Sequence, residues 1–198
     1  VFVLRCCQTF YGGVGVLGCG QRGLGSVIAC REAGAGPIIV TGLAKDRHKL
    51  ALAGMLGADH TIVVDRENTV ERVMALTGGQ GADVIVDVVP ASPHPIVNAI
   101  EVAAIGATIV IAGVKGWGTT VEIDSDKILY KELTIKGVYS QGRRAYEESL
   151  RLLCENKYDL GRMKTHAFAL EEAEQALLTL GGEIDGEEAI CVSLHPEH

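Results

Sequence analysis

The chain has 198 residues, of which 47% are hydrophobic and 22% charged, with a net charge of −7. That length supports a sizeable core in one domain or slightly more. An acidic balance with no Lys/Arg run argues against a nucleic-acid footprint, and no apolar stretch reaches the roughly 20 residues that a membrane span needs.

In chain order, residues 1–14 match no element. "VFVLRCC" lacks the charged lead-in and small-residue cleavage site of a signal peptide, and a start at Val1 reads as a piece of a longer protein. The six cysteines, Cys6, Cys7, Cys19, Cys30, Cys154 and Cys191, form no C-x-x-C. They are expected to be reduced thiols of a cytoplasmic protein.

"VGVLG" (14–18) predicts a buried strand, and "GLGSVIACREAG" a helix that ends at Gly34. "PIIVTG" (37–42) is the next strand. "DRHKLALAGMLG" (46–57) is an amphipathic helix with Leu50, Ala53 and Leu56 on one side. "HTIVV" (60–64) is a strand, and "NTVERVMALTGG" (68–79) a helix with Asn68 as N-cap. "ADVIVDVV" (82–89) and "ATIVIAGV" (107–114) are strands around a proline-opened helix. "TTVEI" (119–123) and "LTIKGVYS" (133–140) read as strands flanking a short helix. A helix over 143–156 puts Leu150, Leu153 and Cys154 on one face. An extended stretch (165–170), a helix (171–180) and a strand (187–194) close the chain. Continuous Val/Ile strands alternating with helices predict an α/β fold: a Rossmann-type doubly wound parallel sheet with helices on both faces.

Gly18, Gly20 and Gly23 form G-x-G-x-x-G between the first strand and the first helix. Gly18 permits the tight turn, Gly20 lets a diphosphate approach the main chain, and Gly23 lets helix and strand pack closely. Amide N–H groups at a helix start have no partner within the helix and sit at the positive end of its dipole, which suits phosphate oxygens. A dinucleotide site that prefers NAD usually ends its second strand with an acid for the ribose hydroxyls. Here Gly42 stands at that place, followed by Lys45, Arg47 and His48. Without a carboxylate to repel a ribose 2′-phosphate, and with cations beside it, NADP is slightly favoured over NAD. Asp46 leaves NAD open, because it is close enough in sequence to serve as the ribose acid.

"VLGCGQRGLGSVIACREAGAGPIIVTG", "KLALAGMLGADHTI", "VMALTGGQGADVIVDVV", "GATIVIAGV" and "KELTIKGV" follow one another in order and spacing. Together they resemble the nucleotide-binding half of the medium-chain dehydrogenase/reductase family, in its zinc-type alcohol, polyol and threonine dehydrogenase branch. The resemblance runs from about Gly15 to Leu194. It implies a cofactor site at Gly18, Gly20, Gly23 and the ribose-selecting Gly42, with Lys45 and Arg47 nearby. Val88 and Val89 would lie beside the nicotinamide ribose. Ala112, Gly113 and Val114 would meet the carboxamide, and Val138 and Ser140 the far side of the ring. Relatives often place an arginine near Ser140 for the diphosphate; here Arg143 or Arg144 would have to reach back.

The resemblance also implies a GroES-like catalytic domain that supplies zinc ligands and a proton relay. Nothing before Gly15 matches one, and adjacent Cys6 and Cys7 suit a tetrahedral site poorly. Residues 15–164 are therefore expected to form the dinucleotide-binding domain, and 165–198 the return segment of the otherwise missing domain. The stretch is expected to hold no catalytic residue and no metal, to be inactive alone, and to leave His166 in a structural role. Ala173, Leu177 and Leu180 would expose apolar surface or be covered in a homo-oligomer. The intact enzyme would transfer hydride between a small alcohol, polyol or amino-alcohol and NAD(P), without nucleic acid or membrane as partner. Two alternatives stay open: a zinc-free quinone or enoyl reductase of the same family, and a non-catalytic nucleotide-sensing domain. A methyltransferase that uses S-adenosylmethionine is disfavoured by Gly42, where such proteins usually carry an acid.

Overall fold

The computed structural model describes residues 12–140 and 142–196. The expectations for Cys6 and Cys7, and for nearly all of 1–14, lie outside the described residues. The chain divides into two compact units, one ending at Leu150 and one beginning at Arg151.

The first unit is built on a sheet of six described strands, all parallel, in the order β3-β2-β1-β4-β5-β6. β1 (Val14–Leu17), β2 (Ile38–Gly42) and β4 (Ala82–Asp87) lie at its centre, and β1 and β2 are buried throughout. β-branched residues run without polar alternation because helices cover both faces. α1 (Gln21–Glu32), α2 (Arg47–Met55), β3 (His60–Val63), α3 (Thr69–Leu76) and α4 (His94–Val102) follow the expected order. Leu50, Ala53 and Leu56 are buried on the inner side of α2. Asn68 caps α3, its side chain accepting from the N–H of Val70 (3.0 Å) and of Glu71 (3.3 Å). Ile39, Ile62, Val73, Ile85, Ala99, Ile100 and Ile109 share one core cluster. The order reverses between β1 and β4, which opens a crevice at the carboxyl ends of those strands.

Four segments depart from the sequence expectation, three of them before residue 156. β5 (Ala103–Ile111) starts where α4 stops, four residues early. The reason is Lys131, whose ammonium donates to the carbonyls of Ile100 (2.9 Å), Glu101 (2.8 Å) and Ala103 (3.0 Å). It satisfies carbonyl groups that the end of a helix leaves open. Burial lowers the Lys131 ammonium below the ordinary lysine pKa. Residues 119–123 are not a strand: they lead as non-regular chain into α5 (Ser125–Tyr130). Alternating polarity reports amphipathicity, but a strand also needs a ladder partner, and β5 is already paired on both edges by β4 and β6 (Thr134–Gly137). In α6 (Arg143–Glu155), Leu150, Leu153 and Cys154 are exposed and Leu152 is the buried residue.

In the second unit, β7 (Lys164–Ala169) and β8 (Cys191–His195) form a parallel pair, with α7 (Ala173–Gly181) ended by Gly182 in the left-handed region. The last strand therefore starts four residues later than its sequence pattern suggests. Leu177 and Leu180 on α7 are 70% and 48% exposed. Among the described residues, no helix is long and apolar enough to cross a membrane.

Lys131→Met removes three charge-assisted bonds from the end of α4. It is expected to lower the unfolding free energy by about 1–3 kcal/mol in a urea titration.

Candidate cofactor site

Each glycine of the β1–α1 turn has its own physical reason. Gly18 holds φ +103°, and a Cβ there would press on Val89 Cγ2 at 3.0 Å and Val88 Cγ2 at 3.3 Å. Its N–H donates to Thr41 Oγ1 at 3.1 Å, which ties the turn to β2. A Cβ on Gly23 would collide with the carbonyl oxygen of Gly18. Helix and turn therefore meet backbone to backbone. Gly20 differs: its φ of −67° suits any residue, and nothing lies within 4 Å of where its Cβ would stand. No side chain caps α1, and its first turn carries no acid. An exposed helix start with open space in front is suited to an anion.

The wall beside this turn comes from the ends of β4 and β5. Asp87 is fully buried. Its Oδ1 accepts from the Val89 N–H at 3.0 Å, and its Oδ2 lies 2.7 Å from Lys115 Nζ. Lys115 also donates to the Val89 carbonyl. The Asp87 carbonyl accepts from the N–H groups of Ala112 (2.8 Å) and Gly113 (2.9 Å), and the Ala91 N–H reaches the Val114 carbonyl at 2.9 Å. A Cβ on Gly113 would collide with the Val89 peptide. Burial raises the Asp87 carboxyl pKa, opposed by the hydrogen bond from Lys115 and then by that from the Val89 N–H. Gly18, Gly23, Val88, Val89, Ala112, Gly113 and Val114 are thus brought together at the carboxyl end of the sheet. Val138 joins the same end, its N–H donating to the Ile111 carbonyl at 3.0 Å; Ser140 follows it, exposed and at φ +62°. Thr41, Asp87 and Lys115 escaped the sequence reading. An acid closing the apolar run "VIVD" was the signal for Asp87, since a buried carboxylate needs a partner.

At the end of β2, a Cβ on Gly42 would stand 2.5 Å from Cys19 Sγ and 3.0 Å from Leu50 Cδ2. Burial, with Asp46 adding to it, pushes the Cys19 thiol up to about 11, so it is neutral at physiological pH. Asp46 is held by Lys49 at 2.7 Å. Lys45 and Arg47 are exposed. Arg143 and Arg144 each pair one turn along α6, with Glu147 (2.7 Å) and Glu148 (3.8 Å). His166 bonds Glu187 at 2.8 Å and stacks on Phe168. Among the described residues, no group of three or more His, Cys, Asp or Glu side chains is placed to hold a metal ion.

The family model described as zinc-binding dehydrogenase matches residues 23–155. The chain belongs to the zinc-binding dehydrogenase family. The match falls in the cofactor-binding half of the medium-chain, zinc-type alcohol dehydrogenases. A relative from Mycobacterium tuberculosis named "Probable alcohol dehydrogenase adh" is 38% identical over 87% of this chain and 47% of its own length. L-threonine 3-dehydrogenase of Bacillus subtilis is 33% identical over 83% of this chain and 46% of its own length. The chain therefore spans about half the length of the curated relatives it matches. An alcohol dehydrogenase from Thermotoga maritima superposes on 99% of this chain and 53% of its own, with a TM-score of 0.87 and 26% identity. A zinc-binding dehydrogenase structure from Sinorhizobium meliloti, bound to NADP, covers 95% of this chain and 53% of its own at TM-score 0.82 and 25% identity.

Lys115→Met leaves the Asp87 carboxylate buried without its counter-charge and should cost about 3–5 kcal/mol at neutral pH. An acid with a raised folded pKa contributes stability below its unfolded pKa and loses it as pH rises through the folded value. The deficit of the variant, measured by urea unfolding across pH, should therefore narrow as the pH approaches about 4.

Proposed function

We propose that the chain is the nicotinamide-dinucleotide-binding portion of an alcohol-type oxidoreductase. The observation that carries this reading is the open, uncapped start of α1 at Gly20, beside the carboxyl-end segments Val88–Val89 and Ala112–Val114. Amides at the α1 start bind the diphosphate, and Gly20 keeps their approach clear. Backbone at Val88, Ala112 and Val114 orients the nicotinamide, with Val138 and Ser140 on its other side. The bound dinucleotide supplies the hydride chemistry.

Lys45 and Arg47 face solvent beyond the end of β2, while Asp46 is engaged by Lys49. That balance supports NADP over NAD, because unengaged cations favour a ribose 2′-phosphate. The NADP-bound relative from Sinorhizobium meliloti supports the same ligand class. In the intact protein the hydride partner is an alcohol, polyol or amino-alcohol, as the names of the relatives suggest. Residues 15–164 serve as the dinucleotide domain of a cytoplasmic enzyme. Residues 165–198 return to a catalytic domain on which activity depends. The exposed edge strand β6 suits a homo-oligomer contact.

Fluorescence titration of the chain with NADPH and NADH tests the reading; binding of neither would sink it. Gly20→Val keeps an ordinary backbone and its Cβ meets no neighbour, so the fold should persist with only the small fall in Tm that a poorer N-cap brings. Its NADPH Kd should rise roughly a hundredfold, equivalent to about 2.7 kcal/mol of charge-assisted bonds. A joint Lys45→Glu and Arg47→Glu variant should weaken NADPH about tenfold more than NADH.

A further inference from the structure

The end of β2 carries more than an absent acid. Gly42 is buried, and the space its side chain would need is filled by Cys19 Sγ, 2.5 Å from the Cβ position, and by Leu50 Cδ2 at 3.0 Å. Cys19 is itself only 3% exposed and sits between Gly18 and Gly20 of the phosphate turn. Its thiol therefore has little room to turn away. Leu50 belongs to the buried face of α2 and closes the same space from the other side.

We infer that Cys19 and Gly42 act as one steric unit that selects the cofactor: the thiol occupies the place from which a carboxylate at 42 would meet the adenosine ribose. The inference rests on the dinucleotide reading above and deepens it. An acid at 42 is excluded by volume from the phosphate turn, not by the residue at 42 alone. Changing the preference toward NADH then requires two substitutions, one to empty the space and one to place the acid.

A thermal-unfolding cycle without cofactor tests the steric half. Gly42→Ala should lower Tm by about 5 °C through overpacking, and the same substitution beside Cys19→Ala should recover most of that loss. Equal losses in both backgrounds would overturn the coupling, as would a double variant that fails to fold. Binding titrations test selection. Cys19→Ala with Gly42→Asp should raise the NADH-to-NADPH affinity ratio about tenfold over the wild-type chain, and Gly42→Asp alone should not. A single Gly42→Asp variant that reaches the same ratio at wild-type Tm would overturn the proposal. A wild-type chain that binds neither dinucleotide would instead overturn the functional reading, while the Tm cycle would still decide the steric pair.

Discussion

Main chain must touch main chain at the head of β1, and the rest of the site depends on that contact. The carbonyl of Gly18 lies where any side chain on Gly23 would go. This lets α1 begin immediately after the turn, with Gly20, Gln21 and Arg22 exposed at its start. The Thr41 hydroxyl accepts from the Gly18 N–H and holds the left-handed turn in place from the neighbouring strand. A side chain at either glycine would push the helix away from the sheet, and the amides proposed to bind the diphosphate would no longer sit over the crevice.

A second constraint is electrostatic. Asp87 is sealed at the end of β4, and Lys115, from the chain after β5, reaches back to its carboxylate and to the Val89 carbonyl. Both side-chain and main-chain oxygens of Asp87 are used, on Val89 at one side and on Ala112 and Gly113 at the other. The wall beside the proposed nicotinamide position is thus braced through one buried residue. A buried pair of this kind gives little net stability against an apolar alternative. Its value here is geometric: it holds two loop segments in one register, which the proposed hydride transfer would need.

The family places the chain with enzymes of about twice its span, and the described residues account for the cofactor half of such an enzyme. Nothing among them gathers ligands for a metal. The proposed discrimination between the two nicotinamide dinucleotides falls to a small region after the ends of β1 and β2. There Cys19 Sγ lies 2.5 Å from the Cβ position of Gly42, Lys49 engages Asp46, and Lys45 and Arg47 are exposed.

Local pattern was enough for much of this. Uninterrupted Val/Ile runs announced strands buried on both faces, Asn68 announced the start of α3, and the glycine spacing announced the tight turn between β1 and α1. Each of these depends on a residue and its near neighbours in the chain, so a linear reading finds it. The early start of β5 was hidden, because the helix before it is ended by Lys131, about 30 residues away. The missing strand at 119–123 was hidden too, since pairing depends on which edges are free and not on alternation. Asp87 with Lys115, and Cys19 with Gly42, are separated by 28 and 23 residues and meet only when the sheet forms. What the amino-acid order determined by itself is the fold and the turn on which the candidate site is proposed. Which side chains brace that site, and which fill the space a carboxylate would need, was decided by tertiary packing, because volume and buried charge are properties of neighbours in space.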